Sequence, residues 1–197
     1  GALGGEIGQA VQDFEDRRNK QRDEQAVNTA IADYSEFAVQ NEIDVESSDS
    51  VWDMDKRFTS SDDARFDEIQ KELPSPAAQQ DFFDRTNLSR LARGAKVKRT
   101  QNRRERNTSL TALDDFSNRV IDLHSASSKD VDGELHRRAL REGVEDAINR
   151  NEYVLAEERD AKVEAFRHNL NVGDFYADLN RAVEEGGEPG IEALHSL

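Results

Sequence analysis

Four histidines, His124, His136, His168 and His195, are the side chains best suited to metal ligation or proton transfer near neutral pH. None stands four residues from a second ligand in an H-E-x-x-H arrangement, so no helical zinc site is expected. The stretch "SKDVDGE" looks at first like a calcium loop, because placing Gly133 at the sixth position puts Asp130 and Asp132 at the third and fifth. The same alignment puts Ser128 at the first position and Ala139 at the twelfth, where a bidentate Glu is needed, so the stretch reads as a turn with Asp132 capping the next helix. "GALGGEIG" follows no strand and lacks both phosphate-binding glycine spacings. Its small residues suit either close approach of another helix or a frayed chain end. With 42 Asp and Glu, no single carboxylate pair stands out as an acid–base couple, and no G-x-S-x-G is present. No catalytic residue, metal or cofactor is expected.

The strongest local signal is electrostatic. "RLARGAKVKRTQNRRERN", residues 90 to 107, lies in a chain of net charge −15. From Arg85 to Arg106 there are nine Lys and Arg against the single acid Glu105, a balance of +8, which leaves −23 for the rest of the chain. Such a run can meet phosphates, each contact adding salt-dependent affinity. Against nucleic acid stand the lack of any aromatic in the run to stack a base, the lack of a finger or helix-turn-helix frame, and the surrounding acid. The favoured expectation is pairing with a neighbouring helix, either the mixed-charge middle of the first or the acid-rich third. Arg93, Lys96, Lys98, Arg99, Arg103, Arg104 and Arg106 are the candidates for contact with a partner helix or with DNA.

Composition sets the scaffold for these residues. Apolar and charged residues each make up 35% of 197 residues, less apolar and more charged than an ordinary globular domain, so a thick multilayer core is not expected. Three prolines and abundant helix formers fit long, thinly packed helices that bury narrow stripes. The absence of cysteine excludes a disulfide framework and thiol chemistry and fits a reducing compartment or a bacterial or viral origin. No apolar stretch approaches 18 residues, so no membrane segment is expected. A start at Gly1 without Met, and an end on "EALHSL", fit a processed chain or part of a longer one.

Apolar spacings of three and four predict a first long helix over residues 3–40, carried by Leu3, Ile7 and Phe14 and then by Val27, Ile31 and Tyr34. Residues 41–75 weaken into a connection with short helices, one capped at Ser60 or Ser61 and ended by Pro74. Ser75 before Pro76 opens a second long helix to His124, through the basic run and on to Leu113, Phe116 and Val120. At 1.5 Å per residue it would extend roughly 70 Å. "SASSKDVDGE" breaks it, and a third segment over 132–170 carries Leu135, Val144, Ile148 and Leu155. A short helix from Asn171 or Gly173 closes at "GGEPG". Residues 76–170 thus form a long helical hairpin, 171–197 a short C-terminal helix and tail, and no stretch alternates with period two. The predicted fold is all-α, an elongated bundle of two to three long antiparallel, coiled-coil-like helices with short connecting helices.

"ELPSPAAQQDFFDRTNLSRLARGAKVKRTQNRRERNTSLTALDDFSNRVIDL", then "REGVEDAINRNEYVLAEERDAKVEAFRHNL" and "DFYADLNRAVEEGGEPG", resembles the helical modules of tailed-bacteriophage virion proteins, namely the internal core or ejection proteins and the tail-associated proteins. The likeness runs over nearly the whole chain: a Gly/Ala-rich opening helix, a Ser-Pro helix start followed by Phe and Arg, two long charged helices and a short closing helix with Tyr. It implies a multi-copy structural subunit of the virion, made in the bacterial cytoplasm, whose partners are copies of itself and neighbouring virion proteins, with transient contact to genomic DNA. Nothing of the transglycosylase that some of these proteins carry can be placed on this sequence. The alternatives are a nucleic-acid-binding or packaging accessory that uses the basic helix 85–106, or a helical adaptor unrelated to phage.

Overall fold

The computed structural model describes residues 2–127 and 129–185, with side chains from Gly8 to Glu184 apart from Ser128. It is all-helical, and no strand occurs among the described residues. In chain order the helices are α1 (Ala2–Ser47), α2 (Met54–Glu72), α3 (Pro76–Ala126), α4 (Val131–Arg150) and α5 (Ala156–Glu185). The chain divides into two compact units, Gly1–Glu105 and Arg106–Leu197, with the boundary inside α3.

In the first unit α1 runs seven residues beyond the predicted Gln40. Asn41, Glu42 and Val45 continue its buried stripe, and the two polar members are satisfied within the unit: Asn41 Nδ2 donates to the Phe58 carbonyl at 3.2 Å, and Glu42 takes two cations of α3. The predicted short helices are one helix of 19 residues, α2, in which Ser60 and Ser61 are internal and Asp53 is the N-cap. Asp62 explains the weak pattern there, because an acid occupies the stripe shared by Met54, Phe58, Phe66 and Ile69. Leu73, before Pro74, is the C-cap.

The core of this unit packs Val27, Ala30, Tyr34 and Ala38 of α1 on Phe66 and Ile69 of α2 and on Ala78 and Phe82 of α3, with Leu73 between. Tyr34 meets Phe66 and Phe82 edge-on at ring separations of 5.5 and 6.0 Å, while those two rings stack at 5.0 Å. A second cluster joins Val45, Val51, Met54, Phe58 and Val97. Ser75 opens α3 as expected: its Oγ accepts the Ala78 N–H at 3.1 Å and donates to Asp23 Oδ2 at 2.5 Å.

In the second unit Asp130, not Asp132, caps α4, accepting the Gly133 N–H at 2.7 Å; Asp132 lies in the first turn. The predicted third segment is two helices. Asn151 ends α4 because its Oδ1 takes the Tyr153 N–H at 2.9 Å in an Asx turn while its Nδ2 donates to Ser109 Oγ at 3.0 Å. Val154, in the turn, drops into the core with Leu113, Val120, Val144, Ile148, Phe166 and Leu170. Glu158 then reaches back to the Leu155 N–H, half of a capping box, and α5 begins.

No new helix starts at Asn171 or Gly173, since α5 continues to Glu185. Gly173 is there for close approach: a Cβ on it would lie 2.7 Å from Ser125 Oγ and 3.0 Å from Ile121 Cγ2 of α3. The "GGEPG" stop and His195 fall outside the described residues.

Candidate functional site

The basic run lies on α3, and its cations sort by helix face. Val97 is fully buried and marks the inner face. On that side Arg93 donates to Glu42 Oε2 at 3.1 Å, and Lys96 reaches the other oxygen of the same carboxylate. This hydrogen bond, with the attraction of Glu42, raises the Lys96 pKa. Arg104 reaches the end of α1, its guanidinium donating to the carbonyls of Glu46 at 2.8 Å and Ser48 at 3.2 Å. A cation there satisfies carbonyls that the helix leaves open and meets the negative end of its dipole. Arg57 of α2 completes the corner with bonds to Ser48 Oγ and the Ser50 carbonyl at 3.0 and 2.9 Å.

Earlier in α3, Arg90 Nε donates to Asp62 Oδ2 at 2.7 Å, a second nitrogen meets Asp63, and the guanidinium sits 4.4 Å from the centre of the Phe66 ring. Burial pulls the Arg90 pKa down, but the bonds and charges of Asp62 and Asp63 raise it on balance. Arg85 contacts Asp81 and Asn28. In the second unit, Arg106 lies 3.6 Å from Glu158. Four of the nine cations, Arg90, Arg93, Lys96 and Arg106, therefore pair with an acid of another helix. Those acids come from the carboxyl-terminal part of α1, from α2 and, for Arg106, from the acid-rich third segment, and none comes from the middle of α1.

Lys98, Arg99 and Arg103 differ. All three are exposed, and none has an acid partner among the described residues; Arg99 bonds only to the Ala95 carbonyl of its own helix, at 3.2 Å.

The predicted packing stripes divide in a similar way. Val27, Tyr34, Leu113, Val120, Val144 and Ile148 are buried, and Ile31 packs against the first core. Phe14, Phe116, Leu135 and Leu155 are exposed, and the side chains of Leu3 and Ile7 fall outside the described residues.

Sequence reading missed an ionic groove of about 710 Å³ in the second unit, lined by His124, Arg137, Asp174, Glu145 and Arg167 among others. Asp174 joins His124 Nδ1 at 3.1 Å to Arg137 at 2.5 Å. Arg167 grips Glu145 through two bonds of 2.7 Å and holds its carboxyl below the usual range. Within this network spacing alone discloses the i,i+4 pair Arg138–Glu142 and the i,i+3 pair Glu134–Arg137. Four arginines face four acids there, an arrangement that holds helices together and leaves no net charge for a ligand.

Among the described residues, no cluster of His, Asp and Glu could hold a metal, and no helix is long and apolar enough to cross a membrane. Compared with protein-family models, curated proteins and solved structures, the chain matches none of them.

Proposed function

We propose that the protein is a structural subunit that assembles by helix packing with copies of itself and with neighbouring proteins, as the internal core, ejection or tail-associated proteins of a phage virion do. The observation that carries this reading is α1: every residue from Gly8 to Arg22 is exposed, including Val11 and Phe14. About four turns of helix with solvent on all sides are marginal in water, and covering their apolar residues is what makes them stable. The resemblance to virion modules supplies the setting, and the exposed α1 supplies the physical need for partners. Light scattering with small-angle scattering, at low and high salt, tests it. A salt-resistant oligomer is expected, and a monomer at every concentration would sink the reading.

Lys98, Arg99 and Arg103, unpaired by acid, favour as a second reading a nucleic-acid accessory acting through residues 85–106. That function requires duplex binding that weakens steeply as salt rises, and an unchanged affinity between low and high salt would exclude it.

A further inference from the structure

Two helix faces carry apolar and charged residues that the described residues of their own chain leave uncovered. At 100° per residue, Leu88, Leu91, Ala95, Lys98, Arg99 and Arg103 fall within an arc of about 140° on α3, opposite the face that Val97 buries. All six are exposed; Leu88 is 79% and Leu91 64% accessible. The face is apolar toward its amino end and cationic toward its carboxyl end, and no acid occurs between Leu88 and Arg104.

The second face is on α5. Asp160, Glu164, His168, Val172 and Phe175 fall within an arc of about 120° and are all exposed. This face is acidic toward its amino end and apolar toward its carboxyl end, the reverse of α3. Asp160 has no ion-pair partner among the described residues, and Glu164 acts on Arg167 only through its charge.

We propose that α5 of a second copy docks antiparallel on the outer face of α3. One register satisfies the whole length: Arg103 opposite Asp160, Arg99 opposite Glu164, Ala95 opposite His168, Leu91 opposite Val172 and Leu88 opposite Phe175. Steps of four, four, four and three on one helix meet identical steps on the other, so both faces stay in contact over the same number of turns. Ala95 leaves room for the imidazole. The charged end orients the pair, because the parallel arrangement would set Leu88 against Asp160 and Arg103 against Phe175, and the apolar end supplies area to bury. The contact joins the first unit of one copy to the second unit of another. Made reciprocally it closes a twofold dimer; made in one direction it propagates into a ring or filament.

This inference rests on the assembly reading above and names its surface. The test compares the wild type with Arg99→Glu/Arg103→Glu, with Asp160→Arg/Glu164→Arg, and with the fourfold variant that exchanges both pairs, each checked for helicity and followed by light scattering. The expected result is an oligomer for the wild type, a shift toward the 22.3 kDa chain mass for each double variant, and recovery in the fourfold variant. An oligomer whose mass none of the reversals changes overturns this interface while leaving the assembly reading in place. A wild type that stays at 22.3 kDa overturns both. A duplex-DNA titration closes the remaining route: binding lost in Arg99→Glu/Arg103→Glu with no change of mass assigns the α3 face to phosphates and overturns the docking proposal.

Discussion

Tyr34 of α1 donates its hydroxyl hydrogen to Asp62 Oδ1 of α2 at 2.8 Å, and both side chains are buried in the first unit. Arg90 of α3 takes the other carboxylate oxygen, so one acid ties three helices together. We predict that Tyr34→Phe costs about 1–2 kcal/mol, the loss of one buried hydrogen bond, and that Asp62→Ala costs more, about 3 kcal/mol, because Tyr34 and Arg90 both lose their partner. Urea denaturation followed by circular dichroism checks this. Equal losses for the two variants would contradict it.

The same pair gives an alkaline limit. Burial, then the bond to Asp62 and its charge, push the Tyr34 pKa well above its ordinary 10.0. A group whose folded pKa is raised contributes stability that is full below the unfolded value and is lost as pH climbs toward the folded one. Wild-type stability should fall above pH 10, and Tyr34→Phe should flatten that part of the curve.

Glu145 contributes to the acid limit of the second unit, as does Asp178, whose carboxyl the Lys129 hydrogen bond and charge also hold below its ordinary value. The Arg167 hydrogen bonds and charge hold the Glu145 pKa below the ordinary 4.5. Its contribution is present above the unfolded value and is lost as pH falls through the folded one. Stability should therefore drop below about pH 4.5, and Glu145→Gln should remove part of that dependence. A Glu145→Gln curve of the same slope as wild type would show that the Arg167 pair does not contribute.

Three helical glycines separate close approach from accident. A Cβ at Gly94 or Gly143 meets nothing within 4 Å, whereas at Gly173 it meets Ser125 and Ile121. We predict that Gly94→Ala and Gly143→Ala each stabilise by about 0.5–1 kcal/mol, from helix propensity alone. Gly173→Ala should destabilise. Thermal melts of the three variants give the signs directly.

The Ser75–Pro76 pair made the start of α3 legible from sequence, the lack of period-two alternation agreed with the absence of strand among the described residues, and periodic apolar spacing made α1 legible. Apolar spacing failed where polar side chains occupy stripe positions. Asn41 and Glu42 hid the last turns of α1, and Asp62 divided α2 into fragments. Each is buried with a partner distant in sequence: Phe58, Arg93 or Tyr34. The break at Asn151 was hidden for the opposite reason, since Leu155, seven residues past Ile148, keeps an apolar rhythm that reads as helix, whereas the side chain the turn buries is Val154. In the basic run, composition located the cations, but which of them meet acids depended on tertiary neighbours. Lys98, Arg99 and Arg103 make a cationic outer face because Glu42 takes up Arg93 and Lys96 and the carbonyls at the end of α1 take up Arg104.

The start of α2 shows the same dependence on distant residues. Asp53 makes no side-chain cap bond; instead Gln101 Oε1 of α3 accepts the Asp55 N–H at 2.6 Å, while its Nε2 donates to the Trp52 carbonyl at 3.3 Å. We predict that Gln101→Ala costs about 1 kcal/mol, the usual loss for a helix cap, and that Arg104→Ala, which strips the end of α1, costs about the same or more. A double-mutant cycle between them, read by denaturation, should show coupling, since both close the same corner.

That corner also has a place in time. The carbonyls that close α1 and the N–H that opens α2 find their partners 46 to 58 residues further along the chain. On a chain made from its amino end at roughly 5–20 residues per second, α1 and α2 must wait seconds after emerging before Gln101 and Arg104 exist to finish them. During that interval the corner is open, with Met54 and Phe58 still lacking Val97. The amino-terminal helices of a nascent chain therefore stay exposed to neighbouring nascent chains until α3 arrives, and the completion of α3 marks the moment at which one molecule becomes distinct from the next.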